Sequence, residues 1–127
     1  VQQNTGREKR MGEDREFDRE ALTALEKIAG DTMDLHLLLG EFVTSSRERI
    51  KGIHQAASAD EVRRLAHPMK SGAKTIGAAG FSMLCRGIEQ AGSAGELDEA
   101  LRLAAELEPG FARVLAWLEQ ETGFSEP

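Results

Sequence analysis

The chain has 127 residues, one domain's worth, with 40% apolar and 30% charged side chains, an ordinary globular balance. Its net charge of −6 argues against general nucleic-acid binding, which needs a basic footprint. The single cysteine, Cys85, rules out an internal disulfide, and the sequence has neither a secretory leader nor an 18-residue apolar run, so direct membrane contact is not expected and a reducing cytosol is.

Tyr is absent, aromatics make up 5% of the chain, and Ala, Leu, Glu and Arg dominate, a composition that favours helices. Residues 1–16, "VQQNTGREKRMGEDRE", are half charged and nearly without apolar groups, so a linker or flexible arm is expected. Order is expected from Phe17. Asp18 reads as an N-cap, with Phe17 and Leu22 placed to form a hydrophobic staple. Leu22, Leu25, Ile28 and Ala29 recur at helical spacing, and Gly30 ends the helix. A second helix starts from Asp31 and carries Leu35, Leu38, Leu39, Phe42, Ile50 and Ile53 to about residue 57. "SADE" reads as a capping box, Ser58 with Glu61, opening a third helix that Gly77 ends. Phe81, Leu84, Cys85 and Ile88 mark a fourth, closed by the turn "AGSAG". A fifth carries Leu97, Leu101, Ala104, Phe111, Leu115 and Leu118, with Pro109 expected to kink rather than end it. The tail 121–127, "ETGFSEP", is expected to fray. Short connections make neighbouring helices antiparallel. The expected fold is all-α: an up-down antiparallel four-helix bundle with an additional short N-terminal helix, spanning residues 17–120.

The third helix carries "RRLAHPMKSGAK". On a wheel of about 100° per residue, Arg63, Arg64, Lys70, Ser71 and Lys74 fall within roughly 60° of His67. Val62, Leu65, Met69 and Ile76 cluster on the opposite side, with Gly72 and Ala73 flanking them. His67 is therefore expected on the solvent face. A lone surface histidine is usually unremarkable; four like charges gathered around this one are not, because they repel at helical spacing. A neutral imidazole has a nitrogen lone pair and can act as a nucleophile. A phosphoryl dianion on that nitrogen would turn the repulsion into attraction. Ser71 and Gly72 keep the surroundings low enough for another protein to reach the ring.

The segment "AHPMKSGAKTIGAAGFSMLCRGIEQAG" resembles the histidine-containing phosphotransfer (HPt) domain. The likeness is carried by Ala66, His67, Met69, Lys70, Ala73, Ile76, Gly77, Ala78, Leu84, Cys85, Ile88 and Glu89. Upstream, "FDREALTALEKIAGD" and the 38–42 stretch look like the first two helices of that family. Two departures stand out. Ser71 and Gly72 are reversed relative to the usual order, placing Gly72 at the core edge, where two helices can approach. Pro68 directly follows the histidine and deprives the Arg64 carbonyl of its helical donor.

The resemblance implies a phosphorelay intermediate rather than an autonomous enzyme, with His67 Nε2 taking a phosphoryl group from one receiver aspartate and passing it to another. Lys70 and Lys74 would offset phosphoryl charge, with Arg64 a weaker contributor, and the Ser71 hydroxyl would bond the imidazole or the phosphoryl group. Arg63, Arg64, Pro68 and Ser71 would touch the partner. Response-regulator receiver domains are the implied partners and would bring Mg²⁺ and an acidic pocket, so no cofactor or metal is expected on this chain. A monomer is expected, cytoplasmic, either free-standing or as the soluble C-terminal domain of a bacterial hybrid sensor kinase; the polar arm favours the latter.

Three other readings bear on the same residues. The dimerisation domain of a histidine kinase typically has an acidic residue after the histidine, where Pro68 stands here. A di-iron bundle needs Glu-x-x-His pairs, which are absent, and His36 and His54 lie about 27 Å apart along one helix. A helical adaptor that docks a receiver without phosphotransfer would use the same face. Cys85 reads as a small core residue.

Overall fold

The computed structural model describes residues 16–127, so the arm expected over 1–16 lies outside the described residues except for Glu16. Six helices follow: α1 (Arg19–Ala29), α2 (Thr32–Gln55), α3 (Ala59–Ile76), α4 (Ala79–Ser93), α5 (Leu97–Ala104) and α6 (Leu107–Thr122). The bundle is formed by α2, α3, α4 and a fourth leg split into α5 and α6, with short α1 packed on α2 and α3. The all-α bundle expected from the sequence is the fold observed.

The local signals act as their chemistry requires. Asp18, Asp31 and Ser58 each accept a hydrogen bond from a backbone N–H three residues on, at 3.1, 2.7 and 3.2 Å. These side chains satisfy amides that have no intrahelical acceptor. Gly77 ends α3 with φ of 93°, a left-handed conformation that disfavours any side chain. Its surroundings add a second constraint. The Asp18 N–H donates to the Gly77 carbonyl at 2.7 Å, and a Cβ on Gly77 would stand 2.4 Å from the Asp18 carbonyl oxygen. The turn into the α3–α4 hairpin is thus clamped to the start of α1, where Phe17 stacks on Trp117 with ring centroids 4.6 Å apart.

Three expectations need correction. Ile28 and Leu38 fall on the expected apolar stripes, but they are 79% and 39% exposed. The buried line of α2 is Leu35, Leu39, Val43, Ser46, Ile50 and Ile53, and Leu38 stands about 100° away from Leu39 around the helix. The fourth leg breaks at residues 105–106 instead of kinking at Pro109. The proline ring would clash with the carbonyl four residues back, that of Ala105, so the helix restarts and Pro109 sits in its first turn, where no donor is needed. The buried seam Ala100, Ala104, Leu107, Phe111, Val114 and Leu118 continues across the break in steps of four and three. Leu97, Leu101 and Leu115 flank that seam, half-buried.

The third correction concerns residues 121–127, which pack rather than fray. Phe124 is buried and meets the His36 ring edge-on, with centroids 5.7 Å apart. His36 Nε2 lies 3.1 Å from the Thr122 carbonyl oxygen, a donor's distance, and Arg47 pairs with Glu126. An apolar ring with a groove on α2 to occupy gains more than the short tail loses in entropy.

Candidate functional site

His67 lies midway along α3. Ala66, Met69 and Ala73 turn inward and are buried, which sends His67 outward with 60% of its side chain exposed. Pro68 and Ser71 beside it are also exposed. The helix runs unbroken through Pro68, and the Arg64 carbonyl that loses its donor belongs to an exposed residue, where water can reach it.

The antiparallel partner α4 completes the site. Cys85 and Ile88 point into the core, which sets Glu89 on the flank facing α3, only 16% exposed. Its carboxylate joins two side chains. His67 Nδ1 is hydrogen-bonded to Oε2, and Lys70 Nζ donates to Oε1 at 2.6 Å. The Lys70 bond chiefly, and the His67 bond after it, hold the Glu89 carboxyl below its usual range, against an opposing effect of burial. An ionised carboxylate only accepts, so the proton of the imidazole belongs on Nδ1. Nε2 is then the nitrogen with the lone pair, on the outer side of the ring. One turn away, the Ser82 hydroxyl donates to the Lys70 carbonyl at 2.8 Å, pinning α4 to α3 beneath the site.

The cations are arranged differently from the expected ring. Arg63 and Arg64 are drawn back toward the start of α3, where both pair with Asp60, at 2.8 and 3.1 Å. Asp60 stands three and four residues before them, the spacing at which helical side chains meet. Lys70 remains beside the ring, although engaged by Glu89. Lys74 and Ser71 line a groove of about 500 Å³ next to it, and among the described residues the Ser71 hydroxyl makes no bond to the imidazole. Gly72 lies at the core edge as expected: a Cβ there would stand 3.0 Å from the Phe42 ring, so a serine at that position would require the half-buried ring to shift by a few tenths of an ångström. Cys85 is buried, and burial pushes its thiol up to about 12, leaving it an inert core residue. Among the described residues, no group of three or more His, Cys, Asp or Glu could hold a metal ion.

Glu89 carries no role in the sequence pattern alone. A signal was present. The Gly77–Ala78 turn folds α4 back on α3, and His67 and Glu89 lie eleven residues on either side of Ala78.

The Hpt domain family model matches residues 37–119, a span that contains His67, Lys70 and Glu89. The chain belongs to the Hpt family. As an Hpt domain it is a phosphotransfer intermediate in phosphorelay signalling. The crystal structure of histidine-containing phosphotransfer protein B (HptB) from Pseudomonas aeruginosa PAO1 is similar, with a TM-score of 0.77 at 32% identity, covering 85% of this chain and 95% of that one. No curated protein matches the chain. No helix among the described residues of this Hpt domain is long and apolar enough to cross a membrane.

Proposed function

We propose that His67 is the phosphoacceptor and that Nε2 is the reacting atom. The carrying observation is an exposed imidazole tied by Nδ1 to Glu89, with Nε2 outward and Lys70 alongside. The Nε2 lone pair attacks the phosphorus of a receiver's aspartyl phosphate in line. The N–P bond forms as the P–O bond to the aspartate breaks, and the aspartate leaves with that electron pair. Attack makes the ring cationic, and the Glu89 carboxylate opposes that charge through the Nδ1–H bond. Lys70 gives one of its three donors to Glu89, and the other two remain for phosphoryl oxygens. Ser71 stands one turn and Lys74 two turns beyond His67 on the same face, ready for the same oxygens, and Arg64 contributes less because Asp60 engages it. The same step in reverse passes the group to a second receiver.

Receiver domains are the partners, with Arg63, Arg64, Pro68 and Ser71 as rim contacts. Mg²⁺ belongs to the receiver, and the Hpt domain works as a cytoplasmic monomer. The test is incubation with a phosphorylated receiver, comparing wild type with His67→Ala. Label should appear on the wild type only, be lost in acid and persist in base. Equal labelling of His67→Ala would exclude the relay and leave an adaptor that docks without transfer.

A further inference from the structure

The site is flanked by two grooves of unlike character. Between α2 and α3 lies one of about 450 Å³, walled by Leu38, Phe42, Pro68 and Met69 and rimmed by Glu41 and Arg49. Between α3 and α4 lies the other, of about 500 Å³, lined by Lys70, Ser71, Lys74, Ser82, Met83 and Arg86. Among the described residues nothing acidic lines it. Among the described residues neither Lys74 nor Arg86 has an ion-pair partner, whereas the nearby Arg63, Arg64 and Lys70 all do. Both are exposed, and Met83 between them leaves 62% of its surface in water. In a chain of net charge −6, two unneutralised cations around an uncovered methionine mark a place where an anionic surface is favoured and then desolvated.

We infer that the α3–α4 groove takes the acidic rim of the receiver's phosphorylation pocket, with Met83 as apolar anchor and Lys74 and Arg86 as the charges that select it. This rests on the phosphoacceptor reading of His67, because Lys70 lines the groove and also shares Glu89 with the imidazole. A receiver seated there brings its acidic pocket over Nε2. The α2–α3 groove sets Glu41, a like charge, beside its one cation, Arg49, so it offers an acidic rim no net attraction.

The test is the Kd of a receiver domain that binds the wild-type chain, measured by calorimetry for Arg86→Glu, Met83→Glu and, as the same change of charge off the groove, Arg102→Glu on α5. All three side chains are exposed, and circular dichroism checks the fold. Arg86→Glu and Met83→Glu should each weaken binding about tenfold, with the Arg86→Glu loss shrinking as salt is raised. Arg102→Glu should stay within about twofold of wild type. Values within about twofold of wild type for both groove variants would overturn the assignment. Labelling of His67 by phosphoramidate, a small donor that needs no docking, is followed separately, so failure of the phosphoacceptor reading shows as absent label whatever the Kd values are.

Discussion

Replacing Glu89 separates its two roles. In Glu89→Ala, His67 Nδ1 and Lys70 Nζ both lose their acceptor. Neither partner is deeply buried, their side chains being 60% and 30% exposed, so water takes up much of the loss and the stability cost is about 1 kcal/mol. For a domain of this size that lowers Tm by about 4 °C. The effect on rate is larger, because the tautomer and the aim of the ring are both released and the charge opposing the ring cation is gone. Transfer from a phosphorylated receiver should fall on the order of 100-fold. Glu89→Gln sharpens the point. An amide has one oxygen and one NH₂; with the oxygen kept by Lys70, the NH₂ faces Nδ1 and draws the imidazole proton to Nε2, the reacting nitrogen. Transfer in this variant should fall at least as far as in Glu89→Ala. Transfer kinetics by rapid quench, with nitrogen NMR of the His67 tautomer, give both readings. Wild-type rate and an undisturbed tautomer in Glu89→Ala would refute the positioning argument.

Gly77→Ala combines a left-handed φ with a Cβ 2.4 Å from the Asp18 carbonyl oxygen. It should cost about 3 kcal/mol in urea unfolding, more than the conformational penalty alone. Phe124→Ala empties the groove on α2 that the buried ring fills. The expected loss is about 2 kcal/mol, with residues 123–127 becoming susceptible to carboxypeptidase. The Glu89 carboxyl is held below its ordinary value of 4.5 by Lys70 first and His67 second. A depressed folded-state value stabilises above the unfolded-state value and is lost as pH falls through the folded one. The stability gap between wild type and Glu89→Gln should therefore be full at neutral pH and close below about pH 4.5, as read from denaturant midpoints across a pH series.

Short-range chemistry was the part of this molecule most open to reading. Asp18, Ser58 and Gly77 act on atoms within a few residues of themselves, and the outward direction of His67 follows from a wheel alone. The tertiary partnerships were harder. Glu89 meets His67 only because a turn folds one helix back on another, a relation that periodicity within either helix does not encode. Arg63 and Arg64 share a face with the ring on a helical wheel, yet Asp60, within the same turn and a half of helix, draws both away, a pairing that the i, i+3 and i, i+4 spacing encodes. The interruption at residues 105–106 follows from Pro109 once its ring is traced to the fourth carbonyl back. Phe124 carried no sign of its burial, since the groove that receives it belongs to α2, nearly ninety residues earlier.

The hairpin that pairs His67 with Glu89 works as a ruler. Because the two stand equally far from the bend, one residue inserted in either limb would swing the carboxylate by about 100° around its helix and slide it by about 1.5 Å. That would uncouple it from the ring while leaving every side chain of the site in the sequence. Within these limbs substitution can be absorbed and a change of length cannot, so what the segment preserves is a count.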